Sequence, residues 1–126
     1  MKSVEQLSET LLVRFTQIDY SREMALIAVR IENDKEIELG VTRYAVNPDG
    51  ESCEFALVVA DSMRGTGLGQ KLITALMDIA RTKGLKKIEG EVLKNNTNML
   101  KLMKRLGFTA TVNPEDSSIK NVSKDL

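Results

Sequence analysis

The run Arg64-Gly65-Thr66-Gly67-Leu68-Gly69 places three glycines in six residues, between an apolar stretch and a segment of helical periodicity. Glycines at such a junction let backbone amides approach a ligand closely, and a following helix adds unpaired N–H groups and the positive end of its dipole. The chemistry this favours is anion binding, above all phosphate. Spacing sorts the known loops. A dinucleotide fingerprint G-x-G-x-x-G fails, because Gln70 or Leu72 stands where the third glycine belongs. A G-x-x-x-x-G-K-[ST] loop fails as well, since Lys71 follows Gln70 and precedes Leu72. What remains is R-x-x-G-x-G, Arg64 to Gly69.

A carboxylate precedes this loop. In ESCEFALVVA, strand alternation sets Ser52, Glu54, Ala56 and Val58 on one face and Cys53, Phe55, Leu57 and Val59 on the other. Glu54 is then the acid in a small, apolar row, and such surroundings raise a carboxyl pKa towards the range of a working base. The competing reading is an exposed glutamate paired with a neighbour such as Arg43. Glu91, with Glu89 on the same face, is either a reserve base or a solvated charge. The chain has no histidine, which removes Ser-His and Cys-His pairs, histidine bases and most zinc sites. Cys53 is the only cysteine, so neither an internal disulfide nor a cysteine metal cluster is expected, and no metal site is assigned. Cys53 as an acyl-carrying nucleophile is disfavoured by its face and by the missing histidine. Asn95, Asn96 and Asn98 sit before a helical segment, where such residues cap.

Composition bounds the rest. The 126 residues are read as one domain, 1–126. Eighteen basic and 18 acidic side chains cancel, so the basic excess of a nucleic-acid binder is missing. No apolar run approaches the ~20 residues of a membrane span, and MKSVEQLSETLL is too polar for a secretory signal. These observations give the expectation of a cytoplasmic protein with neither nucleic-acid nor membrane partners.

The elements that must position the loop and the carboxylate follow from periodicity. Val4, Leu7, Leu11 and Leu12 are at helical spacing, with Ser3 and Gln6 placed like a capping box, so a helix is expected from Ser3 to about Phe15. MALIAVRIE, EIELGVTRYAV and ESCEFALVVA predict an antiparallel meander, turning at Asn33-Asp34 and Asn47-Pro48-Asp49-Gly50. Leu68, Leu72, Ala75, Leu76, Ile79 and Ala80 mark a helix stopped by Gly84. LKKIEGEVLK predicts a strand, Met99, Leu102, Met103 and Leu106 a second helix ending at Gly107, and FTATV and IKNVSKDL two last strands. The class is α/β with a mixed sheet.

R-x-x-G-x-G at the end of a meander resembles the acetyl-CoA pyrophosphate loop of the GNAT acetyltransferases. The resemblance extends over RFTQIDYSREMALIAV, CEFALVVADSMRGTGLGQKLITALMDIARTKGLKKIEGEVLKNN and MKRLGF, which look like the C-terminal acetyltransferase domain of bacterial protein lysine acetyltransferases that carry an acyl-CoA-synthetase-like region. It implies a mostly antiparallel GNAT sheet flanked by helices, here lacking the first strand and helix, so that a second copy or another chain would cover an open sheet edge. It implies acetyl-CoA as co-substrate, a protein lysine as acceptor, and Glu54 as the base; the alternatives are a non-catalytic acyl-CoA-binding regulatory module and a small-amine acetyltransferase. A lysine ammonium needs a base, since neutralising it at pH 7 costs about 4.6 kcal/mol. The coenzyme would lie on Leu57, Val58 and Val59, on Arg64, Gly65, Thr66, Gly67, Leu68, Gly69 and Gln70, and on Asn96. Many GNAT enzymes hold a tyrosine acid four residues before the last Gly-Phe; Met103 stands there, and no acid is assigned.

Overall fold

A computed structural model describes residues 2–8, 11–19 and 22–126, with side chains from residue 22 onward. Among them, eight strands form one sheet in the order β1-β2-β3-β4-β5-β6-β8-β7. Their ranges are β1 Lys2–Ser8, β2 Leu11–Asp19, β3 Glu23–Glu32, β4 Lys35–Val46, β5 Ser52–Val59, β6 Lys87–Leu93, β7 Thr109–Val112 and β8 Ile119–Asp125. Helix α1, Leu68–Thr82, joins β5 to β6, and α2, Thr97–Arg105, joins β6 to β7. Only β5 and β6 pair in parallel.

The helix expected from Ser3 to Phe15 is not formed. That stretch makes β1 and much of β2, and β2 pairs antiparallel with β3 from Leu11↔Arg30 to Asp19↔Glu23. The physical reason lies in β3, where Met24, Ala25, Leu26, Ala28 and Val29 are all buried. A strand apolar on both faces belongs inside a sheet, and pairing with it overrides local helical spacing. With β2 on one side and β4 on the other, β3 lies inside the sheet, whose outermost strands among the described residues are β1 and β7.

The remaining elements follow their local chemistry. Asn33 and Asp34 both have positive φ, at 51° and 62°, the backbone of a two-residue turn that suits the twist of the β3–β4 hairpin. Between Ala28↔Gly40 and Val29↔Glu38 the register slips by one, leaving Leu39 as a bulge whose carbonyl accepts from the Ala60 amide at 2.8 Å. The next residue, Gly40, receives α1: a Cβ there would meet Leu72 Cδ1 at 3.1 Å and the Val58 carbonyl at 3.2 Å. Helix α1 buries Leu68, Leu72, Ile73, Leu76, Met77 and Ala80 and ends in a left-handed Gly84, with Leu85 N–H bonded to Ala80 O at 3.0 Å. The core gathers Met24, Leu26, Leu72, Leu76, Ile88, Met103 and Val122 between sheet and helices.

Candidate active site

Strands β5 and β6 pair only at Ser52↔Lys87, Cys53↔Ile88 and Glu54↔Glu89. Beyond that point β5 stays with β4 and β6 stays with β8, so the two part. The β6-facing edge of β5 from Phe55 onward is left without a strand partner, its N–H and C=O groups open to an amide-bearing ligand. A cleft of ≈ 780 Å³ lies there.

The structure brings every residue expected around the coenzyme to this one cleft. Leu57, Val58 and Val59 form one wall, residues 64–70 the end, and Asn96 borders it from α2. Val58, 65% exposed, points away from the core. The loop is held by a few local bonds. Thr66 Oγ1 donates to Met63 O at 2.6 Å and accepts from Leu68 N–H at 3.3 Å, and Arg64 pairs with Asp61 at 3.1 Å. Gly65 and Gly67 have φ of 76° and 85° with nothing within 4 Å of a notional Cβ, so backbone conformation alone demands glycine there. Gly69 differs from the expectation that grouped the three. It is helical, and a Cβ would touch Leu57, Val59 and Leu102 at 3.5–3.6 Å. The amides of Gly69 and Gln70, in the first turn of α1, have no carbonyl four residues back within the helix. They face a cleft bordered by Arg64, Lys101 and Arg105 and, among the described residues, by no carboxylate.

Asn96 has two roles available. Its Oδ1 caps α2, accepting from Met99 N–H at 3.2 Å, which leaves its amide NH₂ for a ligand. Asn98 also borders the cleft, and Met63, Met99, Lys101, Leu102 and Arg105, which complete the lining, were missed as site residues from sequence. Lys101 and Arg105, at i and i+4 on α2, carried the readable signal. Arg105 Nη1 reaches Gln70 Oε1 at 3.4 Å, tying α2 to the first turn of α1.

Glu54 lies outside this cleft, further back along β5, in a cavity of ≈ 330 Å³ lined also by Glu23, Arg43, Ala45 and Ala56. It is exposed, contrary to the expected enclosure in an apolar row, because alanines flank it and cover little. Nor is it paired with Arg43, which stands opposite Ala56. Among the described residues the Glu54 side chain makes no hydrogen bond or ion pair. The reserve acids are engaged: Asn47 Nδ2 donates to Glu89 at 2.8 Å and Asn113 Nδ2 to Glu91 at 3.2 Å. Cys53 is fully buried, and burial, seconded by the charge of Glu89, pushes its thiol up to about 12. It is not a nucleophile at neutral pH. Met103 is buried in the core, and Tyr44 lies outside the cleft with its phenol raised by burial.

A splayed parallel pair, a glycine loop at a helix start and a capping asparagine thus border one cleft. The family model for the acetyltransferase (GNAT) family matches residues 3–108. The chain belongs to the GNAT acetyltransferases. An acetyltransferase of Pseudomonas aeruginosa is 33% identical over 115 residues, covering 91% of this chain and 62% of its own length. The L-methionine sulfoximine/L-methionine sulfone acetyltransferase of the same species is 38% identical over 55 residues, 44% of this chain and 32% of that protein. The chain thus spans less than two thirds of either relative. Among solved structures, the GNAT domain of S. lividans PAT superposes with a TM-score of 0.74 at 23% identity, over 89% of this chain and 65% of that one. An acyl-CoA N-acyltransferase structure from Klebsiella pneumoniae gives 0.73 at 21%, over 87% and 77%. These likenesses show the GNAT fold. Among the described residues no helix is long and apolar enough to cross a membrane.

Proposed function

We propose that this GNAT chain transfers an acetyl group from acetyl-CoA to a primary amine by direct attack, with Glu54 as general base. The single observation that carries the assignment is the division of β5 along its length: residues 57–59 border the coenzyme cleft, and Glu54, three residues before Leu57, stands in a second cavity with its side chain unpartnered among the described residues. At about 3.3 Å per residue, Glu54 is about 10 Å from Leu57 along the strand, at the last pair before β5 and β6 part, where an acyl arm entering through the fork would meet an amine held beside Glu54.

Acetyl-CoA supplies the activated acetyl group. The amides of Gly69 and Gln70 and the α1 dipole hold its pyrophosphate. The β5 edge from Leu57 to Val59 aligns the arm, and an amide of that edge stabilises the developing oxyanion. Glu54 takes the ammonium proton and frees the nitrogen lone pair; the neutral amine then forms the C–N bond as the C–S bond breaks, and the second nitrogen proton passes to the departing thiolate or to solvent. A thiol near pKa 8.5 departs as thiolate largely without an acid, which suits a site where Met103 replaces the tyrosine.

Two acceptors are supported by different observations. Resemblance of sequence to protein lysine acetyltransferases favours a lysine ε-amine of a protein. The ≈ 330 Å³ cavity at Glu54 and the relative that acetylates methionine sulfoximine and sulfone favour a small amine. The test of the core reading is Glu54→Gln. Coenzyme A release should fall by about 10²- to 10⁴-fold while acetyl-CoA binding, measured calorimetrically, is kept; retained turnover removes Glu54 from the role.

A further inference from the structure

On the sheet face opposite α1, three strands arrange charged side chains around alanines. In register, Glu23, Ala45 and Glu54 form one row across β3, β4 and β5, and Ala25, Arg43 and Ala56 form the next. Arg43 is therefore a diagonal neighbour of both carboxylates, about 7–8 Å away at the level of the sheet. Ala45 and Ala56 keep the floor low, and the ≈ 330 Å³ cavity opens above them, close to the smallest volumes that serve small-molecule sites.

The charges in this cavity are not spent on each other. Arg43 is exposed and, among the described residues, neither its side chain nor that of Glu23 or Glu54 makes a hydrogen bond or ion pair. A guanidinium is a planar fork matched to a carboxylate, and here it stands beside the general base without a partner. We propose that the acceptor is a small zwitterionic amine, chemically an α-amino acid, whose carboxylate pairs with Arg43 while its amine lies at Glu54. Among the described lining residues Glu23 brings the net charge to −1, which attracts the ammonium form before it is deprotonated. Arg43 then discriminates against amines without a carboxylate, polyamines and protein lysine side chains among them. This inference rests on the acetyltransferase reading with Glu54 as base.

The experiment follows coenzyme A release from acetyl-CoA with each proteinogenic L-amino acid and L-methionine sulfone, each set against its own carboxamide, with spermidine and a lysine-rich protein as further acceptors. The expected result is turnover of a subset of free amino acids, with kcat/KM falling about 10- to 100-fold for the carboxamide. Arg43→Ala should bring the acid-to-amide ratio towards one, chiefly through KM, and Arg43→Lys should restore part of it. Equal use of acid and amide, a ratio unchanged in Arg43→Ala, or turnover of protein or spermidine alone overturns the inference and leaves the transferase reading standing. No release with any amine, although acetyl-CoA binds, overturns both.

Discussion

The ring of Phe55 lies against the backbone of Gly90: a Cβ at position 90 would stand 2.7 Å from Phe55 Cε1 and 3.1 Å from the Phe55 carbonyl oxygen. The last parallel pair is Glu54↔Glu89, so this contact sits at the fork where β5 and β6 part. Phe55 also meets Phe108, ring centroids 5.6 Å apart at 56°, which anchors the fork to the chain after α2.

Gly90→Ala must therefore move either the ring or a strand. Such overpacking costs about 1–3 kcal/mol, and the melting temperature should drop by about 4–12 °C. Thermal unfolding followed by circular dichroism measures it; an unshifted midpoint would show that the fork yields freely.

The three loop glycines should separate. Gly65→Ala and Gly67→Ala force an L side chain into left-handed backbone at about 1–2 kcal/mol each, and distort the loop that receives the pyrophosphate. Gly69→Ala meets only ordinary contacts and should leave stability unchanged or slightly raised, while its methyl narrows the cleft between Leu57, Val59 and Leu102. Melting curves paired with acetyl-CoA titrations should thus show a protein of normal stability and weakened binding only for Gly69→Ala.

Lys101 and Arg105 border a cleft that no carboxylate borders among the described residues. Lys101→Ala or Arg105→Ala should weaken acetyl-CoA binding several-fold, and the loss should shrink as salt rises and screens the interaction. Titration calorimetry at low and high ionic strength checks this; a salt-independent loss would point to packing.

Cys53 gives a pH prediction. Its thiol is raised to about 12 in the fold, against ~8.5 in the unfolded chain. The native state therefore holds the proton more tightly, so this contribution to stability is complete below pH ~8.5 and is lost as pH rises from there to about 12. Urea unfolding across that window should decline less steeply for Cys53→Ala than for the parent chain. Alkylation of native protein by iodoacetamide at pH 7 should be negligible until denaturant is added.

Residue spacing by itself determined a good deal of this protein. R-x-x-G-x-G, the meander before it and the amphipathic helix after it are local patterns, and local backbone chemistry forms them without help: positive φ at Gly65 and Gly67, a left-handed stop at Gly84, an asparagine cap at Asn96. What tertiary structure decided is where distant segments compete or meet. The N-terminal stretch carries helical spacing, yet it is drawn into the sheet because β3, apolar on both faces, needs a neighbour on each edge; the continuous run MALIAV was the legible sign of that. Lys101 and Arg105 reach the loop only because Leu102 packs against Gly69. Arg43 and Glu54, 11 positions apart in the chain, come to share one cavity through the β4–β5 register and the alanines between them. Periodicity names the face a residue occupies, but its neighbours on that face are set by strand pairing, which is a property of the whole fold.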